Sequence, residues 1–239
     1  MNTLKIIGII TFTIVFYFLY FYIPYHKLMK TINKKYDSKK VRKQAKDYLL
    51  MMKKYVATKG YKLFYVCKDK YNINGNATLP GIITISGNWY KGAYGADKDK
   101  WIIAMMSTIC HELGHKDSEP KGHFFAFTKR RKFVNYCREV RADLYAKHLL
   151  MYELNYCSTD ILAAHNLKIA NYKSKDRDDM YHPTRALRHK LIEQYDFLTW
   201  DEAIFDIADY VGLDRNNKEV KKMIDWYKAN DLGKVISRV

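Results

Sequence analysis

The residues best suited to chemistry are two histidines and a glutamate in the segment His111-Glu112-Leu113-Gly114-His115. Histidines four positions apart lie on one face of an α-helix, so His111 and His115 can direct two imidazoles at one metal ion. Glu112 lies one step around the helix from His111, where its carboxylate is free to polarise a water beside the metal. This HExxH spacing therefore predicts a zinc site with a general base next to it.

The element that carries this motif is predicted to be a helix. Residues 101–110 are apolar and contain neither Gly nor Pro, and Asp97 and Asp99 near their start complement the helix dipole. We therefore expect one helix to run through these residues into the motif. The alternative, a helix that carries two histidines by accident, is disfavoured by the spacing and by this helical context.

A catalytic zinc ion takes three protein ligands and keeps a fourth position for water. The extended pattern HExxHxxGxxH is excluded, because Ser118 and Lys121 stand where it requires Gly and His. Glu139 is the better third ligand. The chain between His115 and Glu139 is long enough for a loop followed by a returning helix.

Asp143 lies four residues after Glu139, so the two carboxylates share one face of the returning helix. Glu139 can bind zinc while Asp143 accepts a hydrogen bond from a histidine ligand. The small side chain of Ala142 allows this helix to approach the motif helix closely. A solvated acidic face is the alternative interpretation, and the neighbouring Arg138 and Arg141 give it some support.

The N-terminus is predicted to cross a membrane. Residues 6–23 form an uncharged run that is long enough for a helix across the hydrocarbon core. Tyrosines gather at the C-terminal end of this run. We expect residues 1–26 to be a retained single-pass anchor that contacts the bilayer through residues 6–23. A cleaved signal peptide would have a shorter apolar core and a small-residue cleavage site. A buried core helix is the third alternative.

The net charge of +17 first suggests nucleic acid or an anionic membrane surface. The first 70 residues, however, hold 16 of the 42 Lys and Arg but only 3 of the 25 Asp and Glu. Six of these Lys and Arg follow the anchor directly, in a basic juxtamembrane segment over residues 27–40. It therefore places the following domain on the cytoplasmic side, and we expect no nucleic-acid partner. Four cysteines are too few for a disulfide framework.

The fold is predicted to be α+β and mostly helical, with one domain over residues 41–198 and a helical C-terminal cap over residues 199–239. The spacing of apolar residues predicts a helix from residue 41 that Gly60 ends. Residues 61–67 and 82–86 are rich in β-branched and aromatic residues and predict strands.

Three segments together resemble a known family. HELGH, followed by the Glu-x-x-x-Asp helix in REVRADLYA, is similar to the integral-membrane gluzincins, which are the HtpX-type heat-shock proteases and CAAX prenyl proteases of metallopeptidase family forty-eight. Residues 76–81 and the strand that ends at Gly87 resemble its Asn-Ala…Pro-Gly segment. His182-Pro183 with Arg188 resembles its His-Pro…Arg segment. The resemblance covers roughly residues 40–195, and three segments are more specific than HExxH alone.

The resemblance implies a zincin-like metallopeptidase domain with a small edge-exposed sheet, one zinc ion and a polypeptide substrate. Family members often have several transmembrane helices. This chain has one predicted span and lacks an enclosed membrane chamber, which puts prenylated substrates in doubt. The implied roles are metal ligand for His111, His115 and Glu139, general base for Glu112, orientation of a histidine for Asp143, oxyanion stabilisation for His182, support of that region for Arg188, and an edge strand beside the cleft for Asn76, Ala77 and Leu79.

These inferences together predict a membrane-anchored zinc endopeptidase. An extended substrate would add to the edge strand near residues 76–85 through backbone hydrogen bonds. The first alternative is a catalytically inactive, membrane-tethered zinc module that acts in protein–protein interaction. The second alternative, a nucleic-acid binder built on the basic segment, has only that segment to support it.

Overall fold

The computed structural model describes residues 3–35, 39–66, 75–77, 81–86, 97–116, 129–170 and 178–232. The chain divides into two compact units, Met1–Met105 and Met106–Val239. In the described residues the chain is mostly helical and has one small sheet, which confirms the α+β prediction at this level.

The first unit opens with a helical run in three parts: α1 (Thr3–Tyr17), a π-helical turn (Phe18–Tyr22) and α2 (Ile23–Lys35). Within this run Lys5–Lys27 is long enough and apolar enough to cross a membrane, and hardly any of it is buried. Among the described residues no other helix meets that test. The predicted span is therefore confirmed in length and composition.

Helix α3 (Lys39–Thr58) follows, and Gly60 ends it as predicted. Gly60 has a φ of 81°, a left-handed conformation that glycine adopts without a steric penalty. The next residues form β1 (Lys62–Val66). Leu63 and Tyr65, which alternate along this strand, are buried.

The sheet has three described strands in the order β1-β3-β2, with β2 at Gly75–Asn76 and β3 at Ile82–Ser86. β3 is parallel to β1 and antiparallel to β2. One part of the edge-strand expectation is thereby wrong. β3 pairs with β1 along its whole length and with β2 at Thr84 and Ile85, so it is the central strand of the described sheet. Asn76 does lie on an edge strand, β2.

The second unit contains most of the helical core. Helix α4 (Lys98–Lys116) enters it from the first unit, and five helices follow it. α5 is its longest described helix and packs against α6, α7, α8 and α9. The helices after α4 are α5 (Lys129–Tyr152), α6 (Ser158–Ala170), α7 (Arg185–Gln194), α8 (Trp200–Val211) and α9 (Lys218–Tyr227), with a π-helical segment at Lys228–Leu232.

The start of α8 has no side-chain cap. Thr199 is the residue before the helix, but its hydroxyl accepts a hydrogen bond from the backbone N–H of Asp196 and does not cap the helix. Asp201 and Glu202 occupy the first turn, where carboxylates favour the helix dipole. Trp200 is fully buried.

A buried ion pair connects the π-helical segment to α5. Asp231 accepts two hydrogen bonds from Arg141, one from Nε at 2.6 Å and one from Nη2 at 2.7 Å, and both side chains are almost inaccessible to solvent. Arg141 Nη1 also donates to the carbonyl of Gly114 at 3.0 Å. This carbonyl lies in the last turn of α4, where backbone oxygens lack a partner within the helix. Arg141 is therefore no part of a solvated face, and it holds three elements together.

Asp231→Ala is expected to lower the free energy of unfolding by about 3–5 kcal/mol, because it leaves the Arg141 guanidinium buried without its counter-charge. Combining Arg141→Met with Asp231→Leu should cost less, since no charge then stays buried. The control is Asp209→Ala, which removes the partner of the exposed Arg215 and should cost far less, because solvent screens that pair. Denaturant unfolding of the full chain in detergent measures these losses. Equal losses for Asp231→Ala and Asp209→Ala would contradict this account.

Candidate metal centre

Helix α4 carries the two histidines on its buried C-terminal turns. Its preceding residues are buried and apolar, as the sequence predicts, and they fix the face that points into the core. His111 and Glu112 are themselves buried, and His115 is half-buried. The imidazole nitrogens of His111 and His115 point at each other, with 2.9 Å between the two Nε2 atoms.

Helix α5 reaches α4 through an unusually close contact at Gly114. A Cβ atom on Gly114 would lie 2.9 Å from the Cα and 3.2 Å from the Cβ of Ala142, closer than real Cβ contacts allow. The absence of a side chain at 114 and the small one at 142 therefore permit the two helices to touch at the backbone. This approach brings Glu139, one turn before Ala142, to the histidines.

Three ligand atoms, one each from His111, His115 and Glu139, lie within 4.8 Å of one another. The Glu139 carboxylate oxygens are 3.6 Å from His111 Nε2 and 3.5 Å from His115 Nε2. Ligand atoms about 2.0–2.2 Å from a tetrahedral metal ion are about 3.3–3.6 Å apart, so these separations suit a single ion. Among the described residues the group contains no fourth protein ligand. These three residues could therefore hold a metal ion with one position left open.

Asp143 orients one of the histidines. His111 Nδ1 donates a hydrogen bond to Asp143 Oδ1 at 2.8 Å, which leaves the His111 Nε2 lone pair for a metal. Arg188 donates from Nε and Nη2 to the two Asp143 oxygens at 2.6 and 2.7 Å. Its Nη1 lies 3.4 Å from Glu139 Oε2, so one guanidinium serves both carboxylates.

Burial and charge act in opposite directions on these carboxyl groups. Burial raises the pKa of Asp143, but Arg188 and His111 prevail and hold it well below its ordinary value. The pKa of Glu139 is lowered in the same way: burial raises it, and Arg188 with the two histidines outweighs burial. Both carboxylates are therefore ionised near neutral pH, as a ligand and a hydrogen-bond acceptor must be.

Glu112 shows the opposite balance. Its burial raises the pKa above the ordinary value, and the nearby His111 and His115 offset only part of that rise. A carboxylate whose pKa is raised toward neutral exchanges protons more readily at physiological pH. Of the three acidic side chains at this site, Glu112 is the one whose pKa is raised.

The other predicted site residues lie outside this cluster. The His182 side chain is 42 % exposed and lies with its Nδ1 3.3 Å from Asp179 Oδ1, and in the described part of the chain it makes no direct contact with the three ligands. Asn76 lies on β2 in the first unit, and Ala77 follows it. Leu79 lies outside the described residues.

Sequence reasoning missed Lys168 on α6. Its ammonium group is close enough to lower the pKa of Glu112, and the charges of Asp143, Glu112 and Glu139 act on it in turn. Burial, together with the charge of Arg188, lowers the pKa of Lys168 to about 8, although these acids oppose the shift. Lys168 is a single lysine in an apolar helical stretch, and no local sequence pattern indicates that it lies near these acids.

Comparison with protein-family models, with curated proteins and with solved structures finds no match for this chain.

Gly114→Ala is expected to lower the free energy of unfolding by about 1–3 kcal/mol, because the added methyl group forces α4 and α5 apart. Gly8→Ala is the matched control, since a Cβ atom there meets nothing within 4 Å. Thermal unfolding of both variants in detergent gives the comparison. A Gly114→Ala protein as stable as Gly8→Ala would show that the helices do not touch at this point.

Asp143→Asn is expected to weaken zinc binding about 10–100-fold, because the neutral amide no longer holds His111 Nδ1–H with an ionised acceptor. Zinc competition with a chelating dye measures the dissociation constant. Asp160→Asn, on the exposed start of α6, is the control and should bind zinc like the wild type. Unchanged zinc affinity in Asp143→Asn would rule out the orienting role.

Proposed function

We propose that this protein is a membrane-anchored, zinc-dependent endopeptidase. The observation that carries the proposal is the group of His111, His115 and Glu139 ligand atoms, within 4.8 Å of one another, with Glu112 next to His111 on the same helix. Two imidazoles and one carboxylate form a ligand set that catalytic zinc sites use. The resemblance to the HtpX-type and CAAX prenyl proteases supports the same function and a zincin-like domain.

The residues present fit a zinc ion by donor type and by separation. His111, His115 and Glu139 would hold it, and Asp143 would keep His111 in the tautomer that presents Nε2. When bound, zinc supplies Lewis-acid polarisation of a peptide carbonyl and lowers the pKa of a water toward about 7. Within the described residues the group has no fourth protein ligand. An open fourth position favours this catalytic use over a structural zinc site, which closes that position with a protein ligand.

Glu112 performs the proton transfers in this proposal. Its carboxylate takes a proton from the attacking water and passes it to the amine that leaves when the peptide bond breaks. The raised pKa of Glu112 suits both transfers, because a stronger base accepts the proton and the resulting acid can still release it. Lys168, whose charge acts on Glu112, limits that rise.

The substrate in this proposal is a polypeptide in extended form. Its backbone would pair with the sheet edge at Asn76 and Ala77. Such pairing recognises main chain and gives weak side-chain specificity. His182 would stabilise the oxyanion. Residues 6–23 would cross the bilayer, and the basic residues after them would keep the peptidase on the cytoplasmic side.

Glu112→Gln is expected to keep the zinc content of the wild type and to lose peptide cleavage by at least about 100-fold, because the amide cannot accept the proton. Zinc analysis and hydrolysis of labelled casein by the full chain in detergent measure the two quantities. Glu193→Gln, on the exposed face of α7, is the control and should cleave normally. A Glu112→Gln protein that still cleaves would refute the base assignment.

Wild-type protein with stoichiometric zinc and no hydrolysis would refute the enzyme proposal itself. That outcome would favour the tethered zinc module instead.

A further inference from the structure

Residues 178–184, which we name the His182 segment, are held against helix α5. The side-chain amide of Asn135 donates a hydrogen bond to the backbone carbonyl of Met180 at 3.0 Å, and the hydroxyl of Tyr136 donates to the preceding carbonyl at 2.8 Å. Both donors are buried. Asn135 lies four residues before Glu139, so the two positions share one face of α5 and are about 6 Å apart along its axis. The segment therefore starts one helical turn from a candidate metal ligand.

The other end of the His182 segment returns to the same face of α5 through helix α7. Thr184 caps the N-terminus of α7 with its side chain. One turn later Arg188 donates to Asp143 at 2.6 Å, and its Nη1 lies 3.4 Å from Glu139. His182 therefore lies in a short stretch of chain whose two ends are fixed, one a turn before Glu139 and one at Glu139 itself.

Asp179 fixes the imidazole within this segment. Its Oδ1 accepts hydrogen bonds from the backbone N–H groups of Tyr181 and His182, each at 2.8 Å, and lies 3.3 Å from His182 Nδ1. Aspartates that accept from N–H groups shortly after them in the chain stabilise turns. No group in the part of the chain that the structure describes bonds to His182 Nε2. Nε2 is therefore the ring nitrogen that remains for a substrate.

We propose that Asn135 and Asp179 are positioning residues for His182, and that they keep its Nε2 where the oxyanion forms when water attacks the peptide carbonyl. This inference rests on the endopeptidase function proposed above. Asn135 fixes the segment relative to Glu139, which is on the same helix, and Asp179 fixes the imidazole relative to the segment. When the ring is protonated, Nδ1–H donates to Asp179 and Nε2–H donates to the oxyanion.

The consequence is a selective effect on the chemical step. Oxyanion stabilisation needs a donor that is already in place, and a misplacement of about 1 Å can cost about 100-fold in rate. An oxyanion exists only after the water has attacked, so His182 contributes to the transition state and not to binding of the intact peptide. Loss of a positioning residue should therefore lower kcat and leave KM nearly unchanged.

The test is hydrolysis of a labelled peptide by the full chain in detergent, with the zinc content of every variant measured. Asn135→Leu removes the amide donor at nearly the same side-chain volume and should lower kcat about 10–100-fold. Asp179→Asn keeps an oxygen for the turn but loses the charge that faces Nδ1, and it should lower kcat about tenfold. The matched control is Asn230→Leu, because Asn230 also donates to a backbone carbonyl, that of Trp226 at 2.8 Å, in the π-helical segment. It should keep the kcat of the wild type.

A double-mutant cycle shows whether these effects act through His182. In a His182→Ala protein, Asn135→Leu and Asp179→Asn should lower kcat no further, because no imidazole is left to position. Losses that add in full would overturn the positioning role. An Asn135→Leu protein that loses its zinc would have a structural defect, which would overturn the role of Asn135. Asp179→Asn changes a side chain that is 43 % exposed and tests the role of Asp179 without such a defect.

A phosphinic peptide gives a readout that does not depend on turnover, since its tetrahedral phosphinate carries the charge of the oxyanion. Asn135→Leu, Asp179→Asn and His182→Ala should each weaken its binding about tenfold or more, while the KM of the peptide substrate changes little. Unchanged binding in all three variants would overturn the proposal.

The same measurements separate failure of this proposal from failure of the proposed function. A zinc-loaded wild-type protein that cleaves no peptide would overturn the endopeptidase and this inference with it. A His182→Ala protein with the kcat of the wild type would overturn the oxyanion role of His182 and leave the endopeptidase intact. An impaired His182→Ala protein beside normal Asn135→Leu and Asp179→Asn proteins would overturn the positioning role alone.

Discussion

The metal centre depends on how closely helices α4 and α5 approach each other at Gly114 and Ala142. A single methyl group at 114 would come within 2.9 Å of the Ala142 backbone. The same approach brings Glu139 within 3.6 Å of the histidines and Asp143 within 2.8 Å of His111. One helix separation therefore determines the ligand distances and the orientation of a ligand. It also determines the reach of Arg141 to the Gly114 carbonyl, so the buried ion pair with Asp231 reinforces the geometry of the site.

Burial and nearby charges shift the pKa values of the three acids in the cluster in different directions. Arg188 lies against Glu139 and Asp143, and the pKa of each is lowered despite burial. For Glu112 burial prevails, and the pKa is raised. When environments push pKa values apart in this way, the acids can serve different functions. Glu139 and Asp143 stay ionised, as a metal ligand and a hydrogen-bond acceptor must, whereas Glu112 can exchange a proton. The arrangement suits the proposed hydrolysis for two reasons. Glu112 must both accept and release a proton during the reaction, whereas the Glu139 ligand must remain ionised throughout.

Local spacing was enough to predict several elements and the side chains that share one face of a helix. HExxH, the pair Glu139 and Asp143, the Gly60 stop and the strand at Ile82–Ser86 all depend on residues a few positions apart. The contacts of Arg141 with Asp231 and of Lys168 with the acids join distant parts of the chain, and no short-range pattern encodes them. The central position of β3 was missed for the same reason, because strand order depends on tertiary pairing.

The most direct measurement of the central claim is zinc K-edge X-ray absorption on the purified full chain. The account predicts two imidazole nitrogens and two oxygens about 2.0–2.2 Å from zinc, one oxygen from Glu139 and one from a solvent molecule. Glu139→Ala should remove the carboxylate contribution and leave both imidazoles. A sulfur ligand about 2.3 Å from zinc, or a spectrum that Glu139→Ala leaves unchanged, would contradict the account.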